Sequence, residues 1–265
     1  MRITILCNDK AQKPFFAEHG FSALVENGEC NVLFDTGSSD VFLKNMKALN
    51  LDPAKIKNVV LSHGHYDHVG GLKHLGEQSE LKVWVKESAF LSNFSGKRFA
   101  GIDWKKIKSS LQFSELEGSA QRICDSIFAW GPAPMTNDFE EPDPEFWVIR
   151  NGKIERNLFE EELNLVIEDD MGLTVLSGCA HRGIANIAYG AQALFGKRIR
   201  MIAGGFHLSH ASTKKILRII NFFNEIRVEK IVPCHCTGEK AIKLFQERFQ
   251  GEVLNCEAGK EISLL

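Results

Sequence analysis

The chain has 265 residues with a formal net charge of −2, and 44% of its residues are hydrophobic. This length suits a sizeable core, and without a linker-like stretch we expect a single domain over residues 1–265. The near-neutral charge, without blocks of like charge, argues against a nucleic-acid or membrane partner. Seven cysteines at irregular spacing do not predict a disulfide framework, so we expect reduced thiols and a cytoplasmic location. No stretch predicts a signal peptide or a membrane span.

The first third of the chain alternates between strand-like and helix-like patterns. Short or alternating apolar runs indicate strands, and apolar residues three and four positions apart indicate helices. In chain order we predict a strand at 2–7, a hairpin of 21–26 and 29–34, a helix at 39–49, a strand at 56–61, the start of a helix at 70–75 and a strand at 81–85.

Residues 87–156 have a different texture, because their aromatic residues lack a clear period and prolines punctuate the stretch 131–145. Regular patterns return after residue 160. There we predict a hairpin of 163–167 and 173–176, a helix at 184–193, a strand at 198–203, a helix at 212–226, a strand at 230–232, a helix at 240–249 and a strand at 261–265.

The strongest chemical pattern is His63-x-His65-x-Asp67-His68, directly after the predicted strand at 56–61. In extended backbone His63 and His65 project the same way and can share one cation. Asp67 and His68 come where the chain should turn into a helix, so they can face a second position. Imidazole and carboxylate are ligands for zinc, iron or manganese. A histidine-rich polar turn is the alternative, and nine histidines in 265 residues make such a chance cluster improbable.

Three later histidines, His181, His207 and His235, also follow strand-like runs. Strand ends deliver their loops to one edge of a sheet, so we expect these side chains near the first motif. The other histidines lack such a placement, and we interpret them as solvent-facing or packing residues: His19, His74 and His210.

The motif at 63–68 resembles the metal-binding motif of the metallo-β-lactamase superfamily. Further motifs follow in the expected order, at 177–183 (SGCAHRG), 204–208 (GGFHL) and 233–238 (PCHCTG). They resemble the branch of 7,8-dihydropterin-6-yl-methyl-4-(β-D-ribofuranosyl)aminobenzene 5′-phosphate synthase-like proteins. The resemblance implies an α/β fold, a four-layer αββα sandwich of two ββββα halves. It also implies that residues 87–156 form an insertion that caps the active site, although a structural loop remains an alternative.

The resemblance further implies up to two divalent metal ions, zinc or alternatively iron or manganese. The implied ligands are His63, His65 and His181 for one ion, and Asp67, His68 and His235 for the other.

One position departs from the pattern, because Gly204-Gly205 stands where most members have an aspartate that bridges the two metals. Either His207 replaces it as a ligand, or the metals are held more loosely, or only one is bound tightly. We expect His207 near the metals, where it either binds a metal directly or contacts a metal ligand or the substrate.

Two further assignments concern residues around the ligands. Asp35 resembles the aspartate that orients the first motif through hydrogen bonds, although an Asx-turn is an alternative role. We interpret Cys179, Cys234 and Cys236 as small packing residues.

The ligand set implies hydrolysis, because a bound metal lowers the pKa of water and polarises a carbonyl or phosphoryl oxygen. Asp67 can hold metal and also orient the nucleophile or accept its proton, so it is our catalytic residue. The substrate is a small molecule for which the sequence names no binding residues. A phosphate site at Arg182 and the hydroxyls of 209–213 is one option, and helix capping explains those hydroxyls more simply.

Two alternatives to a metal-dependent hydrolase remain open. The branch implies a synthase-like condensing enzyme, although no residue selects a pterin or ribosyl substrate. The Gly204-Gly205 departure favours instead a non-catalytic metal-binding sensor of the same fold. The sequence predicts no oligomeric state.

Overall fold

The computed structural model describes residues 1–28, 30–76, 81–108, 110–116 and 118–264, with the backbone alone for Lys108. The strands in chain order are β1 (Arg2–Cys7), β2 (Ser22–Asn27), β3 (Cys30–Phe34), β4 (Asn58–Val60), β5 (Lys82–Val85), β6 (Ser92–Ser95), β7 (Arg98–Phe99), β8 (Gln112–Glu115), β9 (Ala120–Cys124), β10 (Ile127–Trp130), β11 (Phe146–Arg150), β12 (Lys153–Arg156), β13 (Asn164–Asp169), β14 (Gly172–Ser177), β15 (Ile199–Gly205), β16 (Lys230–Cys234), β17 (Glu252–Val253) and β18 (Glu261–Ser263). The α-helices are α1 (Val41–Ala48), α2 (Tyr66–Val69), α3 (Trp104–Lys108), α4 (Ile184–Phe195), α5 (Thr213–Glu225) and α6 (Glu239–Arg248).

Two mixed sheets of seven described strands each form the centre of the molecule. The first has the order β18-β1-β2-β3-β4-β5-β8, and the second has the order β17-β16-β15-β14-β13-β10-β9. Parallel pairing runs from β3 through β4 and β5 to β8 in the first sheet, and from β14 through β15 and β16 to β17 in the second. The two halves of the chain therefore build sheets of similar design.

Buried apolar residues form three layers of core. One lies between the sheets, a second lies between the first sheet and α1, and the third lies between the second sheet and the helices α4, α5 and α6. Representative fully buried members are Ile5, Phe34 and Val232 between the sheets, Phe42 and Met46 on the inner face of α1, and Ile187, Ile220 and Phe245 in the third layer. This layer order confirms the predicted αββα sandwich. Within the described residues, no helix combines the length and apolar content needed to cross a bilayer.

The chain brings polar loops from both sheets to one edge. Asp35 follows β3, His63 follows β4, and His181, His207 and His235 follow β14, β15 and β16. Because parallel strands place their carboxyl ends at the same edge, these loops meet, and the site lies there.

Residues 87–156 contain more strands than their irregularly spaced aromatic residues predicted. Within this stretch β8 joins the first sheet and β9 and β10 join the second, while a third sheet has the order β12-β11-β6-β7. Its aromatics pack on one another, as where the rings of Phe94 and Trp147 stack with centroids 4.0 Å apart. Cross-strand aromatic contacts stabilise short strands without a regular apolar alternation. Whether the stretch closes over a ligand stays a prediction.

Three expectations need correction or qualification. The helix expected from residue 70 begins instead at Tyr66 with α2 and continues as a 3₁₀-helix over Gly70–His74. Glu29 and Leu265, which bound two predicted strands, lie outside the described residues. The expectation of reduced thiols is wrong for four cysteines, because disulfides join Cys30 to Cys124 and Cys234 to Cys256. Their sequence separations of 94 and 22 residues left no local pattern to detect.

Candidate metal centre

Three histidines converge at the floor of the site, and we call them the imidazole triad: His63, His65 and His181. Nε2 of His63 lies 3.0 Å from Nδ1 of His65 and 3.3 Å from Nε2 of His181. The ring of Phe159 stacks on His181 with a centroid separation of 3.8 Å, so His181 is held from behind. All three histidines are buried.

Hydrogen bonds around Asp35 set the direction of the His63 lone pair. The Ser62 hydroxyl donates to Oδ2 of Asp35 at 2.6 Å, so its oxygen accepts from Nδ1 of His63 at 2.8 Å. The same carboxylate accepts from the Ser62 amide at 2.7 Å and from Nδ1 of His68 at 2.7 Å. With their Nδ1 atoms held by Ser62 and Asp35, His63 and His68 turn their Nε2 atoms into the site.

A second group faces the triad, and we call it the carboxylate-backed group: Asp67, His68 and His235. Oδ2 of Asp67 lies 3.3 Å from Nε2 of His235 and 3.9 Å from Nε2 of His68. Asp9 accepts from Nδ1 of His235 at 2.6 Å, as Asp35 does from His68. Each histidine of this group thus has a carboxylate behind it.

The histidine pKa values of the triad are lowered, whereas that of His235 in the second group is raised. Burial lowers the pKa of His63 and His181 well below the usual range and that of His65 to about 4, so the triad is neutral. Burial also opposes charge on His235, but its hydrogen bonds to Asp67 and Asp9 outweigh this and raise its pKa well above the usual value. Without a cation, the second group therefore compensates its carboxylates by protonation.

These residues fit a metal ion by the chemistry of their donors. Within the described residues, Nε2 of His65 and Nδ1 of His181 are buried without a hydrogen-bond partner. The converging nitrogens are Nε2 of His63, Nδ1 of His65 and Nε2 of His181, and their separations of 3.0 and 3.3 Å suit donors on one cation. Ligand atoms of His63, Cys179 and His181 all lie within 4.8 Å of one another, and so do those of His68, Cys179 and His235.

Cys179 and Cys236 are site residues that the sequence analysis treated as packing. Sγ of Cys179 lies 3.1 Å from Nε2 of His68 and 3.4 Å from Sγ of Cys236. Cys234 is also no simple packing residue, because it is bonded to Cys256. His235 adopts a left-handed conformation with φ 46° between Cys234 and Cys236. The Cys234 side chain is bonded to Cys256, whereas that of Cys236 contacts Cys179.

Neither glycine of the departing motif has room for a carboxylate. A Cβ on Gly204 would lie 1.8 Å from the Ser177 carbonyl oxygen, and its φ of 110° disfavours other residues. A Cβ on Gly205 would lie 2.3 Å from the Gly178 carbonyl oxygen. His207 lies beside the triad, with its ring centroid 4.3 Å from that of His181, and its amide donates to Sγ of Cys236 at 3.3 Å. Its Nδ1 is buried without a partner in the described part of the chain.

His19 also contacts the site, contrary to its assignment as a solvent or packing residue. Its Nε2 lies 3.3 Å from Oδ2 of Asp67 and its Nδ1 lies 3.0 Å from Asp9, although 58% of its side chain is exposed. Asp9 was missed as well. It follows β1 by two residues, so the rule used for the histidines, polar residues at strand ends, would have found it.

Buried polar contacts fix the loop that carries His181. Glu162 accepts from the amides of His181 and Arg182 at 2.6 and 3.0 Å. The Arg182 guanidinium is buried and donates to the carbonyl oxygens of Ala133 and Leu158, which favours a role in holding this loop over a role in binding a substrate phosphate. Ser212 accepts from the Lys215 amide and caps α5, as the simpler interpretation held.

A pocket of about 270 Å³ opens above the two groups. Its lining includes His65, His181, His207 and Phe146, together with Asp67 and His235. Arg98 lies at the exposed rim and donates to the Tyr66 hydroxyl at 2.7 Å. His210 also lines the pocket, while His74 lies outside it.

Comparisons with known proteins agree with this geometry. A family model described as the metallo-beta-lactamase superfamily matches residues 16–94. An uncharacterised protein of Methanocaldococcus jannaschii is 34% identical over 91% of this chain and 92% of its own length. A second protein of that organism, named 7,8-dihydropterin-6-methyl-4-(beta-D-ribofuranosyl)-aminobenzene-5'-phosphate synthase, is 31% identical over 99% of this chain and 96% of its own length. A crystal structure described as a metal-dependent hydrolase of the beta-lactamase superfamily is 43% identical, with a TM-score of 0.93 and coverage of 100% of this chain and 99% of that one.

Proposed function

Since the chain belongs to the metallo-β-lactamase superfamily, we propose that it is a metal-dependent hydrolase of a small substrate, phosphorylated substrates included. The observation that carries the proposal is the convergence of two ligand groups next to one pocket, which is lined by members of both groups. In this proposal His63, His65 and His181 hold one divalent cation, and Asp67, His68 and His235 hold a second. Zinc suits the nitrogen-rich donors, with iron or manganese as alternatives.

Bound divalent cations would supply a water of lowered pKa and polarise the scissile carbonyl or phosphoryl group. The protein's own contribution begins with Asp35, whose hydrogen bonds to Ser62 and His68 orient one ligand of each group. Asp67 is placed to accept the proton of the attacking water, because it lines the pocket and contacts His19 and His235.

The pocket supports a small substrate. Its volume of about 270 Å³ holds a compact molecule, and Phe146 provides an apolar wall whose ring centroid lies 5.1 Å from that of His65. Arg98 at the rim could pair with a phosphate through its guanidinium. In this proposal His207, with its unpartnered Nδ1, contacts either a cation or the substrate.

A synthase-like condensation is the second candidate, supported by the name of the relative that is 31% identical. The residues of the pocket do not favour a pterin or ribosyl group over another small molecule. Both candidates use the same ligand groups, so they differ in the reaction and not in the metal centre.

The test is an activity screen on protein reconstituted with zinc, manganese or iron(II). The substrates are phosphomonoesters, phosphodiesters, lactones and thioesters, and a parallel arm measures pyrophosphate release from a phosphoribosyl donor with an aminobenzoate acceptor. We expect chelator-sensitive hydrolysis of at least one ester class. Pyrophosphate release that requires the acceptor, without ester hydrolysis, would favour the synthase. Metal binding without turnover in either arm would favour the sensor.

A further inference from the structure

Cys179 occupies the space between the two ligand groups. Its sulfur and one ring nitrogen each of His63 and His181 all lie within 4.8 Å of one another. The same is true of its sulfur with ring nitrogens of His68 and His235. The side chain is 4% exposed, so its sulfur faces the histidines and not solvent. In the described part of the chain, Cys179 is the residue that these two groups of donors share.

The position also answers the question raised by Gly204-Gly205. No carboxylate can stand on either glycine, because a Cβ would lie 1.8 Å from one backbone carbonyl oxygen and 2.3 Å from another. Gly204 pairs with Ser177 across the β14–β15 ladder, so Cys179 is carried on the neighbouring strand's exit loop. A donor from that loop can reach the space that a side chain on β15 cannot.

We propose that the Cys179 thiolate bridges the two cations in place of the absent aspartate. The inference rests on the metal centre of the proposed function. Zinc–sulfur bonds are about 2.3 Å and zinc–nitrogen bonds about 2.0 Å, so two donors on one ion lie roughly 3 to 4 Å apart. The 3.1 Å between the sulfur and Nε2 of His68 agrees with that range. On binding, the S–H bond breaks, the proton leaves to the buffer and sulfur lone pairs bind both cations.

Cys236 is the matched control. Its sulfur lies 3.4 Å from that of Cys179. Ligand atoms of Cys236, Cys179 and His207 lie within 4.8 Å of one another, and among the described residues Cys236 belongs to no such group with a member of the triad or the carboxylate-backed group. A thiolate at Cys236 would therefore bind a cation near His207 and would not bridge the two ligand groups.

The experiment uses full-length protein loaded with cobalt(II) under a non-thiol reductant, and it records near-ultraviolet thiolate-to-cobalt charge-transfer absorption and cobalt content. We expect the band in the wild type and in Cys236→Ala, and its loss in Cys179→Ala. Cys179→Asp should lose the band yet keep two cobalt ions, because it restores a carboxylate bridge. Circular dichroism checks that each variant is folded.

Four results would overturn the inference. A band that survives in Cys179→Ala, or that disappears only in Cys236→Ala, assigns the thiolate elsewhere. Wild-type protein that binds cobalt without the band leaves the metal centre standing and removes the bridge. Wild-type protein that binds no cobalt overturns both the bridge and the proposed metal-dependent function.

Discussion

The imidazole triad and the carboxylate-backed group lie side by side, but they are stabilised in different ways. The triad consists of buried neutral imidazoles, with His65 lowered to a pKa of about 4. In the other group His235 can keep a proton, since Asp67 and Asp9 raise its pKa well above the usual value. The second group is thus compensated without metal, whereas the triad brings three neutral ring nitrogens together, with 3.0 and 3.3 Å between neighbouring atoms and no charged group among them. We therefore predict that, of the two groups, the triad depends more strongly on a bound cation.

The largest effect should come from removing the central member of the triad. In His63→Ala we expect the loss of the triad's cation and a fall in hydrolysis of about three orders of magnitude, the equivalent of about 4 kcal/mol of transition-state stabilisation. Steady-state kinetics on the substrate class found in the screen measures this. His74→Ala, at an exposed histidine away from the pocket, is the control and should keep full activity.

Asp35→Asn tests whether one carboxylate organises both groups. Asp35 contacts both Ser62 and His68, so we expect metal affinity at both positions to fall roughly 10- to 100-fold, as for other residues that orient ligands. Competition with a chromophoric chelator measures the affinities. Asp170→Asn, on the exposed β13–β14 turn, should change neither. A loss at one position alone would mean that Asp35 supports only that group.

Chelation should destabilise the protein through the triad. At a metal concentration 100 times the dissociation constant, bound metal stabilises a protein by about 2.7 kcal/mol, so we expect a clear fall in Tm on adding chelator. The fall should vanish in His63→Ala if the triad holds the stabilising ion. An equal fall in wild type and variant would assign the effect to the carboxylate-backed group.

A smaller effect is expected from His19→Ala. The ring contacts Asp67 and Asp9 but is 58% exposed, so we expect about a tenfold loss of metal affinity, at the low end for residues that orient ligands. The loss should be confined to the carboxylate-backed group. His210→Ala, also at the pocket and exposed, is the control with unchanged affinity.

A separate effect, on the stability of the metal-free protein, concerns pH and Glu161, a buried carboxyl next to Glu162. Burial raises its pKa to about 7 from an ordinary 4.5, so its contribution is largest below pH 4.5 and is lost as pH rises through 7. At 1.36 kcal/mol per pKa unit this is roughly 3 kcal/mol. Metal-free Glu161→Gln should show a flatter decline of unfolding free energy between these pH values in urea titrations. An unchanged slope would assign the decline to another group.

Much of the fold could be predicted from apolar patterning, because the buried strands and amphipathic helices of both halves carry clear periods. The hairpin of β13 and β14 and the helix α5 lie within a few residues of their expected bounds. The strands β6, β7 and β11 could not, since cross-strand aromatic contacts of Phe94 with Phe99 and Trp147 replace a regular apolar alternation. The disulfides were missed because they join residues distant in sequence. The cytoplasmic location stays a prediction.

The site shows the same division. The histidines could be placed from their positions at strand ends, and the structure brings His63, His65, His68, His181 and His235 together there. Cys179 could not be placed, because its role depends on which residues fit between two loops that the sequence does not bring into register. The missing room at Gly204 is likewise a property of the β14–β15 pairing and not of the local sequence.

The most direct test of the account is the metal content of protein purified without chelator and then reconstituted with zinc. Elemental analysis of the wild type should give two ions per chain, and His63→Ala and His68→Ala should each give about one. No metal in the reconstituted wild type, or two ions retained in His63→Ala, would contradict a centre built from two adjacent ligand groups.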